Sequence, residues 1–206
     1  LTSDDLDRIF EQTTNLETLK ISSCNSLSLN FKKIDQLKKL KNIELKYVKI
    51  SNSELNNILK NTPDLEFLKL EDCNNTDLVL SEDFYLPKLK NIEILGGDYN
   101  ETFINNLLCA SQNLESIDLY TNNKLTNNFT KPINLTQLKT FKSMGDVISQ
   151  KNIETILSKS NLNEISLYSF EGFSSQFLSS IDFKNLTNIS FKGSAFDSST
   201  LENILK

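Results

Sequence analysis

Leu65-Glu66-Phe67-Leu68-Lys69-Leu70-Glu71-Asp72-Cys73 carries the reading of the whole chain. Its apolar anchors stand at the first, fourth and sixth positions. In an extended strand, residues two apart face the same side, so Leu68 and Leu70 point inward together while Lys69 and Glu71 point away. The same pattern recurs upstream as Leu16-Leu19-Ile21 and Leu40-Ile43-Leu45. Downstream it recurs as Leu89-Ile92-Ile94, Leu114-Ile117-Leu119, Leu138-Phe141-Ser143, Leu162-Ile165-Leu167 and Leu186-Ile189-Phe191. Successive starts lie 24 or 25 residues apart, and only Ser143 interrupts the third anchor. A fixed period of this length marks a solenoid of strand-bearing repeats.

Each such strand is too short to be stable alone. Stacking the strands in parallel buries one continuous apolar ladder. Three positions beyond the last anchor the chain has to turn, and Cys24, Cys73 and Asn122 stand there as residues able to bond loop backbone. Val48, Gly97, Asp146, Phe170 and Ser194 occupy the equivalent place elsewhere, so the turn ladder is irregular. A second period is superposed on the first. Helix-like returns are predicted at Ser3 to Glu11, Ser53 to Lys60, Glu101 to Ala110, Lys151 to Lys159 and Ser198 to Leu205, in alternate repeats. Phe103, Ile104, Leu107 and Leu108 form the apolar stripe of a half-buried helix, and Ser or Asn precedes several of these segments as a cap. The intervening returns are less regular. They include Pro87 and Pro132, which disfavour a long helix.

With these motifs in place the family resemblance can be stated. Leu16-Glu-Thr-Leu-Lys-Ile-Ser-Ser-Cys24, and Asn61-Thr62-Pro63-Asp64-Leu65 through Cys73, resemble the cysteine-containing leucine-rich repeats of F-box proteins. The alternation of two repeat forms is similar to ribonuclease-inhibitor-like solenoids. The resemblance implies an α/β leucine-rich-repeat solenoid: a right-handed, curved horseshoe with parallel strands on the concave face and helices after alternate repeats. We expect residues 1–206 to form a single such domain of about eight repeats. Without an initiator Met, and with repeats rather than polar caps at both ends, the chain reads as part of a longer one.

Composition excludes several function classes. A net charge of -5 offers no basic surplus for nucleic acid. No apolar run approaches the roughly 20 residues of a membrane helix. The chain contains no histidine, so His-based catalysis and His metal sites are excluded. Cys24, Cys73 and Cys109 are widely spaced, and neither a zinc site nor a disulfide framework follows from them. Cys24 and Cys73 stand two repeats apart, about 10 Å and beyond disulfide reach. Free thiols favour a cytoplasmic or nuclear location. Gly96-Gly97 belongs to no phosphate-binding loop.

The candidate functional residues lie on the outward strand positions. The fifth position reads Lys20, Glu44, Lys69, Glu93, Asp118, Lys142, Ser166, Ser190. Its first four members alternate in sign and can pair across strands, whereas Glu93 and Asp118 form an adjacent acidic pair suited to a basic group on a partner. The seventh position carries Leu95, Tyr120, Met144 and Tyr168 in succession, a stripe roughly 15 Å long. A contiguous apolar patch on an open face is either a binding surface or the seat of a covering segment. Gly96, Gly145 and Gly193 at the eighth position would leave one flank of it low and open, and Tyr47 and Phe67 would form a smaller apolar pair. The expectation is a non-catalytic interaction module, without cofactor, metal or small-molecule substrate, that grips a protein or peptide partner by its concave face. Two alternatives stand beside it: an architectural subunit of a larger complex, and the substrate-recognition region of an F-box-type ubiquitin ligase.

Overall fold

The computed structural model describes residues 3–24, 33–73, 79–80, 84–121, 125, 129, 133–144, 147–169 and 183–193. Eight five-residue strands run through them. They are β1 (Thr18–Ser22), β2 (Asn42–Lys46), β3 (Phe67–Glu71), β4 (Asn91–Leu95), β5 (Ser116–Tyr120), β6 (Thr140–Met144), β7 (Glu164–Tyr168) and β8 (Asn188–Lys192). All are parallel and pair in chain order within one open sheet. Each register matches equivalent repeat positions, as in Ile43↔Leu68 and Ile92↔Ile117.

The strands begin two residues after the first-position leucine, and the hydrogen bonds give the reason. The amides of Leu40, Leu65 and Leu89 donate to the carbonyls of Leu37, Thr62 and Leu86, three residues back. Those leucines therefore close a turn and enter the core ahead of the strand, and all three are buried.

Among the described residues four helices flank the sheet: α1 (Ser3–Gln12), α2 (Asn52–Asn61), α3 (Glu101–Ala110) and α4 (Gln150–Lys159). After α1, each follows an even-numbered strand, as the second period predicts. Capping sets their starts. Ser51 Oγ accepts from the Glu54 amide while Glu54 Oε2 accepts from the Ser51 amide, a reciprocal box at α2. Asn100 and Ser149 cap α3 and α4 through single side-chain bonds. Among the described residues between β1 and β2 there is one short 3-10 turn, Ile34–Gln36. The helix expected at Ser198 to Leu205 lies outside the described residues.

The core fills the space between sheet and helices. The fourth and sixth repeat positions are buried from β1 through β7, against Leu6 and Phe10 of α1, Leu55 and Ile58 of α2, Ile104 of α3 and Ile153 of α4. Full burial of one such side chain contributes about 1.5–3 kcal/mol. Ser143 keeps its inward place and is fully buried, with its hydroxyl donating to the Met144 carbonyl. On β8, which among the described residues pairs with β7 alone, the inward Ile189 is 37% exposed.

Candidate functional site

The face opposite the helices is built from the third, fifth and seventh positions, and most of its charges are paired. Lys20 Nζ lies 2.6 Å from Glu44. Lys46, Glu71, Lys69 and Glu93 form a chain, with Lys69 Nζ 2.7 Å from Glu93 and 3.5 Å from Glu71, and Lys46 3.3 Å from Glu71. Partial burial opposes the charge on Lys69, but Glu93 and Glu71 outweigh it and hold the ammonium above its ordinary pKa. Glu71 is held low, because Lys46 and Lys69 overcome its own desolvation. The pairing expected at the fifth position is thus present in Lys20–Glu44 and Lys69–Glu93.

The adjacent acids behave differently from each other. Glu93 and Asp118 are in register on β4 and β5. Glu93 has Lys69, but Asp118 Oδ1 is buried and accepts no hydrogen bond. Lys142, the in-register neighbour of Asp118 on β6, turns instead to Glu164 at 2.9 Å. Burial, reinforced by the Glu93 charge, raises Asp118 to about 6.

The seventh-position stripe is present and half-buried. Leu95 is in register with Tyr120, and Met144 with Tyr168. It does not stand as four separate anchors. Strands two apart are about 9.6 Å from each other, yet the Tyr120 and Tyr168 rings lean together to 5.4 Å, tilted by 58°. They meet across β6, whose Met144 packs against the core. Lys192 Nζ of β8 lies 5.5 Å from the centre of the Tyr168 ring, within cation–π range.

With this geometry in view, the relationship to known proteins is direct. The family model described as At1g61320/AtMIF1, LRR domain, matches residues 14–206. The chain belongs to this leucine-rich-repeat family. No curated protein matches it. Leucine-rich-repeat domains generally serve protein–protein interaction and are typically non-catalytic.

The leucine-rich-repeat frame also corrects two local expectations. The eighth position is a left-handed turn in most described repeats, with positive φ at Ser23, Tyr47, Asp72, Gly96, Ser169 and Gly193 but not at Thr121. Glycine at Gly96 and Gly193 therefore answers to backbone conformation. At Gly96 an added Cβ would collide with Asp72 Oδ1, so the open flank expected there is already occupied; Gly145 lies outside the described residues. Tyr47 and Phe67 do not pair. Phe67 opens β3 opposite Asn42, whereas Tyr47 follows the far end of β2, about 16 Å along the strand. Tyr47 is 45% exposed on its turn, away from the stripe.

At the ninth position of this leucine-rich repeat, Cys73 Sγ donates to the Leu45 carbonyl at 3.2 Å and Cys24 Sγ to the Ser22 carbonyl at 3.3 Å, the backbone bonding expected of turn cysteines. Asn122, Asp146, Phe170 and Ser194 lie outside the described residues.

Sequence reasoning missed Glu164, which takes up Lys142, and did not connect the seventh-position Lys192 with Tyr168. Glu164 stands on the outward face and could have been found by reading the third position together with the fifth. It also missed the second repeat position, which alternates Glu17, Lys41, Glu66, Lys90, Glu115, Lys139. The ion pairs Lys41–Glu17, Lys90–Glu66, Lys90–Glu115 and Lys139–Glu115 span 3.1–3.9 Å along that row.

Proposed function

We propose that this leucine-rich-repeat domain is a non-catalytic module that binds a protein or peptide through the open face of its sheet, the concave face of such a solenoid. Leu95, Tyr120, Met144 and Tyr168 form the centre of the contact, with Glu93 and Asp118 beside them. One observation carries this reading: on a face largely closed by its own ion pairs, four successive strands present a contiguous apolar and aromatic stripe next to a desolvated carboxylate. Aromatic side chains in a contiguous patch are common energetic centres of interfaces. The free thiols of Cys24, Cys73 and Cys109 support a reducing compartment. The F-box-type ligase reading rests on sequence resemblance alone and forms no part of the proposal.

The test is quantitative cross-linking capture with wild-type protein, the Tyr120→Ala and Tyr168→Ala variants, and a helix-side control, Lys60→Ala. The proposal expects partners that are lost from both tyrosine variants and kept by the control. Partners kept by the tyrosine variants and lost from helix-side variants would replace it with the architectural reading.

A further inference from the structure

We infer that the partner presents a lysine or arginine side chain, laid on the Tyr120 ring with its charge at the Asp118 carboxylate. This rests on the proposed binding face and adds the chemistry of what it binds.

The inference comes from the charge inventory of the face. The lysines nearest Asp118 are committed elsewhere, Lys142 to Glu164 at 2.9 Å and Lys69 to Glu93 at 2.7 Å. Among the described residues Asp118 makes no ion pair within 4 Å, while every other carboxylate on this face has one. A desolvated charge without a partner is costly. A cation arriving from outside therefore gains more at Asp118 than at an exposed carboxylate. Asp118 is only half-buried as a residue, so its group is open to such an arrival although Oδ1 is covered.

Tyr120 supplies the second half of the site. It lies two residues further along the same face of β5, about 7 Å from Asp118. Burial and the neighbouring Tyr168 hydroxyl hold its phenol well above the ordinary tyrosine pKa, so the ring stays neutral. The stripe already shows that its rings accept a cation, because Lys192 sits over Tyr168. The aliphatic stem of a lysine or arginine can cover the stripe while its head reaches the carboxylate. An acidic group would be repelled by Glu93 and Asp118 together. A purely apolar knob would bury Asp118 further without compensation.

The groups that set the titration of Asp118 are Glu93 on β4, Lys142 on β6, and more distantly Lys69 on β3 and Glu164 on β7. A bound cation stabilises the carboxylate, so binding should weaken as pH falls below about 6, where Asp118 protonates.

Met144, the single methionine of the chain, stands between the two tyrosines and reports on the site. The experiment titrates protein labelled with 13C at the Met144 methyl, at low salt, with acetyl-Gly-Arg-Gly-amide, acetyl-Gly-Lys-Gly-amide and the neutral citrulline analogue. The inference expects saturable shifts with the two basic peptides, and binding at least about fivefold weaker with citrulline. Asp118→Asn and Tyr120→Leu, each checked for an intact amide spectrum, should both show at least about that fivefold loss. Equal response to arginine and citrulline, an unchanged response in Asp118→Asn, or no shift with any peptide would overturn it. Should that happen while captured partners are still lost from Tyr120→Ala and Tyr168→Ala, the binding face stands and only its cation preference falls.

Discussion

The rings of Tyr120 and Tyr168 touch across an intervening strand, with centroids 5.4 Å apart, although their backbones belong to β5 and β7. The pair therefore ties together strands that are not neighbours. Tyr120→Ala and Tyr168→Ala should each lower stability, and the double variant should lose less than the sum. The expected coupling is about 0.5–1.5 kcal/mol, measured by urea melts of the four proteins in the cycle. Strict additivity would mean that the rings do not interact in solution.

Asp118 predicts a pH dependence of opposite sign to most carboxylates. Its folded pKa of about 6 lies above its unfolded value. Between these values the folded state binds more protons, so the contribution is full below pH 4 and is lost as pH rises through 6. Asp118→Asn should remove that loss and stabilise the protein at pH 7 by roughly 1 kcal/mol, allowing for solvent screening at a half-buried site. Melts of both proteins at pH 4.5 and 7.5 should diverge only at the higher pH; parallel curves would contradict the assignment.

Leu68 and Ile117 are fully buried in β3 and β5 and pack against the repeats on either side. Leu68→Ala and Ile117→Ala should each cost about 2–5 kcal/mol in denaturant unfolding. A cost under about 0.5 kcal/mol would place these side chains at the surface and break the repeat phase.

Gly96→Ala combines two penalties, a residue at φ +62° and a Cβ on Asp72 Oδ1. The expected loss is about 1–3 kcal/mol. Asp72→Ala in the same chain should relieve the clash but not the backbone term, so the pair should recover only part of the loss. Its own cost is the bond from the Gly97 amide to Asp72 Oδ1.

Lys90→Glu sets three acids side by side on the second-position row, because Lys90 lies between Glu66 and Glu115. These groups are substantially exposed, so the cost should be about 0.5–1 kcal/mol and shrink with added salt. Thermal melts at 10 mM and 500 mM sodium chloride would show it; a loss that ignores salt would point to packing instead of charge.

The period, strand phase and helix positions were legible in the sequence because they depend on local patterning repeated many times over. An alternation of two places Leu68 and Leu70 inward whatever surrounds them, and each further repeat tests the same frame. The helix ends read from Ser, Asn and apolar spacing differ from those observed by at most one residue, since caps act within a single turn. The repeat pattern begins two residues before each strand, because an inward leucine looks alike in a strand and in the turn before it. The second-position alternation was also written in the sequence, in the row from Glu17 to Lys139.

Other features required the tertiary structure. Repeat position says that Lys142 can reach Asp118 or Glu164, but only the side-chain geometry shows that it chooses Glu164 and leaves Asp118 Oδ1 unbonded. The stripe from Leu95 to Tyr168 could be read in order, yet not that two of its rings close over the strand between them. Gly96 suggested open space where φ and Asp72 show a filled turn. The physical reason is common to all three. Which side of a strand a residue faces is set by the backbone period, whereas its partner is settled by competition among long side chains whose reach exceeds the 4.8 Å spacing of the strands.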